Sequence, residues 1–178
     1  MNKELRNAFN QAFTKEKYNS FVKEVMDSHP GTLDFRVAET PVFVPKELKQ
    51  KILDACESII DIITATDFKQ LTQKAIPKNL FVPNENNHSH FMALDFGICI
   101  NEQGEIEPQL IEMQGFPSLN AYQVLFPEIS KKHFPVPENY SPFLSDHTRE
   151  SYIQLLKEII LGNLQPEHVI LLEIFPST

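Results

Sequence analysis

Asp95, Glu112 and Gln114 sit in the segment Phe91–Tyr122, FMALDFGICINEQGEIEPQLIEMQGFPSLNAY, which reads as two apolar strands around a polar turn. Alternate residues of a strand share a face, so Glu112 and Gln114 point one way while Ile111 and Met113 point the other. A turn centred on Asn101–Gly104 brings Asp95 within a residue or two of Glu112. Two carboxylates and an amide oxygen then converge on one patch of sheet. Such oxygen donors suit a hard cation such as Mg²⁺, which takes one or two carboxylates together with phosphates and water. Asp95 lies in the apolar run Phe91–Ile100, and Glu112 is embedded likewise in Leu110–Met113. A carboxylate buried there must be paired, hydrogen-bonded or metal-bound, because burying it alone is costly. The competing reading is structural, since acidic residues beside a hairpin turn are often only solvent-facing.

An Asp on one strand, a short turn, then Glu-x-Asn ending the next strand before a Pro/Gly-containing loop is the metal-binding signature of ATP-grasp enzymes. The stretch LDFGICINEQGEIEPQLIEMQGFPS resembles it over about 30 of the 178 residues, with Asp95, Glu112 and Gln114 at the ligand positions. Gln114 stands where the family has Asn, and its amide sits one methylene further out. These strands lie mid-chain, behind helices and ahead of a further helix–strand unit. That order is similar to circularly permuted ATP-grasp proteins of the glutathionylspermidine-synthase-like type. The resemblance implies ATP and Mg²⁺ as cofactors, and a carboxylate–amine (or thiol) ligase acting through an acyl phosphate. It also implies a nucleotide and a small-molecule or peptide carboxylate as ligands, and a chain that is the N-terminal part of a longer enzyme. The alternative is a non-catalytic α/β binding or scaffold domain that keeps only the fold.

Other chemistries are less well supplied. His88-Ser-His90 followed by Asp95 is an H-x-H…carboxylate arrangement that would suit iron, zinc or copper if both rings shared one strand face. Neither cupin-like glycines nor a plausible later histidine accompanies it. The five glycines are scattered, so no phosphate-cradling loop or dinucleotide fingerprint exists. Cys56 and Cys99 fall in apolar stretches without CxxC spacing and read as small buried hydrophobes. Ser118 and Asn120, at the start of an expected helix, are candidates for phosphate or substrate contact, although Ser118 equally fits a helix cap. Arg36 and Glu39 are either an ion pair or a substrate contact.

The elements that must position these residues follow from periodicity. Leu5, Ala8, Phe9, Ala12 and Phe13 mark one amphipathic helix, and Lys15–Ser28 a second. Pro45 opens a long helix from Lys46 to about Thr64, and Asp67 is placed to cap a shorter one through Ala75. After the hairpin, Leu119–Phe126 reads as a short helix and the proline-rich Lys131–Ser145 as an ordered crossing loop. Ser145–Thr148 starts a helix to about Leu161, stopped by Gly162. Glu167–Phe175, EHVILLEIF, has the composition of a parallel strand buried on both faces. The expected class is α/β (α+β): a helical region over 1–78 packed on a mixed sheet with a central hairpin, and an α/β region over 79–178.

Composition narrows the partners. Hydrophobic and charged contents of 42 % and 22 % are those of an ordinary globular chain. A net charge of −8 argues against nucleic acid, whose backbone needs basic patches. No secretory signal and no window of about 18 apolar residues occurs, which points to a cytoplasmic protein without membrane contact.

Overall fold

Side-chain caps and apolar stripes set the helices. The computed structural model describes residues 2–31, 33, 35–86, 88–117, 119–170 and 172. Helix α1 (Lys3–Ala12) begins where the Asn2 side chain accepts from the Leu5 amide, and α2 (Lys15–Ser28) where Thr14 accepts from Lys17. Each cap satisfies one of the free N–H groups of a first turn. Helix α3 spans Lys46–Thr64 with Pro45 at its N-cap, and α4 is the short Phe68–Thr72, followed by a 3₁₀ turn through Ala75. Asp67 occupies the cap position of α4 but makes no side-chain capping bond, contrary to the expectation for it.

Strands β1 (Ala93–Ile100) and β2 (Ile106–Gln114) form a two-stranded antiparallel sheet, the only sheet among the described residues. The fold is therefore α+β, and among the described residues the hairpin stands where a mixed sheet was expected. The Asn101 side-chain oxygen takes the amides of Gln103 and Glu105, and Gly104 adopts φ +79°, so a tight turn forms where it was expected.

Helix α5 runs from Tyr122 to His133, straight through Pro127, instead of stopping at Phe126. An interior proline costs about 3 kcal/mol in a helix. Here the far side of Pro127 carries Ile129, and Phe134 follows the last turn; both are buried in the core, and their burial outweighs that cost. Helix α6 (Arg149–Leu161) starts at a capping box between Thr148 and Ser151 and ends at Gly162.

The core is aromatic and lies among α1, α2, α5 and the 37–43 linker. Phe9 lies tilted against Phe134 at 4.6 Å, with Phe43 edge-on at 6.2 Å, and Phe21 meets Phe134 at 5.9 Å. Val25 and Ile129 complete it, so residues on both sides of position 78 share one cluster. The Tyr18 hydroxyl donates to the Val37 carbonyl at 2.6 Å, and the Asn2 amide to Phe43 at 3.0 Å, stitching the linker down.

The expected terminal strand does not appear among the described residues. Pro166–His168 is a 3₁₀ turn, and Ile170 and Leu172 are 88 % and 85 % exposed, not buried. The remainder of that segment, 171 and 173–175, lies outside the described residues. No described helix is long and apolar enough to cross a membrane.

Candidate functional site on the hairpin

Register decides what the hairpin presents. Asp95 lies directly opposite Glu112, and Ala93 opposite Gln114. Directly paired residues share a face, so Asp95, Glu112 and Gln114 occupy one surface of the sheet. A register shift at Asp95/Phe96 makes this possible: Phe96 pairs with Leu110, leaving Ile111 as the extra residue of a β-bulge. Strict alternation would have put Leu110 and Glu112 on the same face. The bulge separates them. Leu94, Phe96, Ile98, Ile100, Ile106, Pro108, Leu110 and Met113 make one apolar face, while the carboxylates take the other. Ile111 does not follow Met113, as alternation implied; its side chain lies over Gly97, 3.6 Å from where a β-carbon would stand.

Burial overturns one expectation. Asp95 and Glu112 are exposed and Gln114 is half-buried. No second layer of described residues covers this face, so the desolvation argument for a compensating metal does not apply. The Gln114 amide nitrogen donates to one Glu112 oxygen. The second Glu112 oxygen, the Gln114 carbonyl and both Asp95 oxygens make no hydrogen bond or ion pair with a described residue. No group of three or more His, Cys, Asp or Glu side chains able to hold a metal occurs among the described residues. The donor set that remains is two carboxylates and one amide, open to solvent, and it fits an ion that keeps several waters, such as Mg²⁺.

The other candidates lie apart from this face. Arg36 Nη2 bonds Glu39 Oε1 at 2.6 Å on the α2 side of the core, where it lines a cleft with Tyr18 and Val37. That hydrogen bond raises the Arg36 pKa above its ordinary value. Asn120 is half-buried, and its carbonyl accepts from the Tyr152 hydroxyl at 3.3 Å. Ser118 lies outside the described residues. Helix α5 begins at Tyr122, three residues beyond the expected start, with no side-chain cap. Leu119 before it has φ +53°, a left-handed conformation costly for a non-glycine residue. His88 and His90 meet edge-to-face at 5.0 Å, but in the loop before β1 and not on one strand face. Cys56 is half-buried, and burial first and Glu57 second push its thiol pKa up, consistent with a packing role. Cys99 is exposed, contrary to expectation.

No known protein family, curated protein or solved structure matches the chain. The likeness to ATP-grasp metal strands thus stands on the hairpin's own residues.

Two features escaped the sequence reading. An open groove of about 1570 Å³ runs from the end of α3 to Gln114, floored by Phe68, Phe81, Phe91 and Met113, with Lys69, Lys74 and Lys78 along it. Its only sequence signal is the interleaving of lysines and large apolar residues over 68–82. The second is Glu24 on α2, which takes Lys132 Nζ at 2.5 Å and His133 Nε2 at 2.7 Å from α5. The Lys132 hydrogen bond, then that of His133, holds the Glu24 carboxyl below its ordinary pKa. Partners 108 and 109 residues apart leave no local pattern to read.

Proposed function

We propose that the polar face of the hairpin binds a divalent cation, Mg²⁺ by preference, and contributes it to an ATP-dependent carboxylate–amine (or thiol) ligase. The observation that carries this reading is the register: Asp95 opposite Glu112, with Gln114 next on the same face and four oxygens without a described protein partner. Asp95, Glu112 and Gln114 would hold the ion. Bound there, it would supply charge neutralisation between the β- and γ-phosphates of ATP. In the reaction class, a substrate carboxylate oxygen takes the γ-phosphoryl group as ADP leaves, and an amine or thiol then displaces phosphate. The open side of the face leaves room for phosphate oxygens and water to complete the shell.

A non-catalytic binding or scaffold domain is the second reading, favoured by one observation. No described lysine or arginine comes within ion-pair distance of Asp95 or Glu112, whereas phosphoryl transfer relies on cations along the phosphates. Calorimetric titration of the chain with MgCl₂, alone and with ATP, separates the two. Saturable Mg²⁺-dependent binding, weakened at least about tenfold by Asp95→Asn and by Glu112→Gln, is the expected result (about 1.4 kcal/mol). No binding, or equal binding in both variants with unchanged circular dichroism, would sink the metal-site reading.

A further inference from the structure

The groove from the end of α3 to Gln114 is divided by charge. Where it is lined by the hairpin and the residues just before it, Phe91, Met92 and Met113, no charged side chain enters. Where it is lined by α4 and the 3₁₀ turns Gln73–Ala75 and Lys78–Leu80, it carries Lys69, Lys74 and Lys78. From Phe68 to Asn84 the sequence holds three lysines and no acidic residue, in a chain of net charge −8. Glu85, the one carboxylate in the lining, is held by Lys69 at 3.2 Å. Lys74 and Lys78 make no ion pair with a described residue. Two cations therefore border an apolar floor without a described anion, and the complementary occupant is anionic.

The polar groups of the lining narrow that occupant further. The Thr64 and Thr72 hydroxyls donate to the Ile60 and Phe68 carbonyls of their own helices, both at 2.8 Å, and the Ser89 hydroxyl donates to the Gly115 carbonyl at 2.8 Å. A nucleotide or an extended peptide lying here would bring polar groups along its whole length, each losing water and needing a partner. An alkyl chain brings none. The volume of about 1570 Å³ exceeds the roughly 300–1,000 Å³ of a drug-sized pocket, which leaves room for an elongated ligand. Met92 and Met113 add unbranched, adaptable side chains suited to such a chain. The described C-terminal residues Ile170 and Leu172 do not line the groove and stay exposed.

We propose that this groove binds a free long-chain carboxylate of the fatty-acid class, its head on Lys74 and Lys78 and its alkyl chain along Phe81, Phe91, Met92 and Met113. Charge at one end and an apolar body match the two parts of the lining. The site uses neither Asp95 nor Glu112 and needs no metal, so this inference does not rest on the proposed ligase reading.

Calorimetric titration of the full chain with sodium dodecanoate, in EDTA and below micelle formation, tests it. Saturable one-site uptake is expected, weakening about tenfold for each pair of methylenes removed from the probe. The double variant Lys74→Glu with Lys78→Glu should weaken it about tenfold; both lysines are exposed, so the reversal leaves the fold intact. Phe81→Ser, at a residue 70 % exposed, should also weaken uptake with unchanged circular dichroism. No saturable uptake, whether or not phosphatidylglycerol vesicles bind, would overturn the proposal. Equal uptake of dodecyltrimethylammonium, or an affinity indifferent to chain length, would do the same. So would uptake that appears only in Phe175→Asp, which would put the chain's own residues after Leu172 in the groove.

Discussion

The α1–α2–α5 cluster and the hairpin use apolar residues in opposite ways. In the cluster, Phe9 is 1 % exposed and ringed by Phe43 and Phe134. In the hairpin, isoleucines and leucines line one face and most stay open. The contrast separates what stabilises this chain from what it presents: the aromatic cluster holds the fold, and the hairpin offers one acidic and one apolar surface on a thin sheet. Two strands alone are marginal in water, so the sheet depends on α3, which packs against β2.

That division can be broken by truncation on each side. Phe9→Ala should cost about 3–5 kcal/mol in urea unfolding, because it opens a cavity at the centre of the cluster. Ile100→Ala, on the exposed hairpin tip, should cost less than about 0.5 kcal/mol. Equal effects would dissolve the distinction.

A smaller effect comes from the Glu24 contact that ties α2 to α5. The folded-state pKa of Glu24 is lowered, chiefly by Lys132. Its contribution is therefore present above the ordinary carboxylate range and lost as pH falls through the depressed value. Glu24→Gln should be less stable than the parent at neutral pH and converge with it in acid; parallel unfolding curves across that range would refute the coupling. More local is Thr148→Ala, which removes the capping box of α6. A helix with no buried residue should lose about 1 kcal/mol locally, read as faster amide exchange in α6 with the aromatic cluster unchanged.

How far the sequence could be read follows the same divide. The bounds of α2 and α3 were legible because a three- and four-residue apolar stripe runs along each, and Pro45 opens α3. The hairpin turn was legible from Asn101 and Gly104. Long-range packing was not: α5 runs through Pro127 because Ile129 and Phe134 fill space made by α1 and α2, and no residue near Pro127 announces that. The exposure of Asp95 was missed for a related reason. An apolar neighbourhood in sequence implies burial only if a second layer arrives, and none of the described residues covers that face. The grouping of Asp95, Glu112 and Gln114 came from turn and register, which are local; their chemistry depends on what stands above the sheet, which is not.

The bulge at Ile111 carries one more implication. Removing that single residue would keep both Phe96–Leu110 and Asp95–Glu112 as partners, merely straightening the ribbon. The interval between Leu110 and Glu112 is thus elastic, and hairpins one residue shorter can display the same acidic trio. A pattern search that demands fixed spacing through this strand would overlook them; one that permits a gap at that position would not.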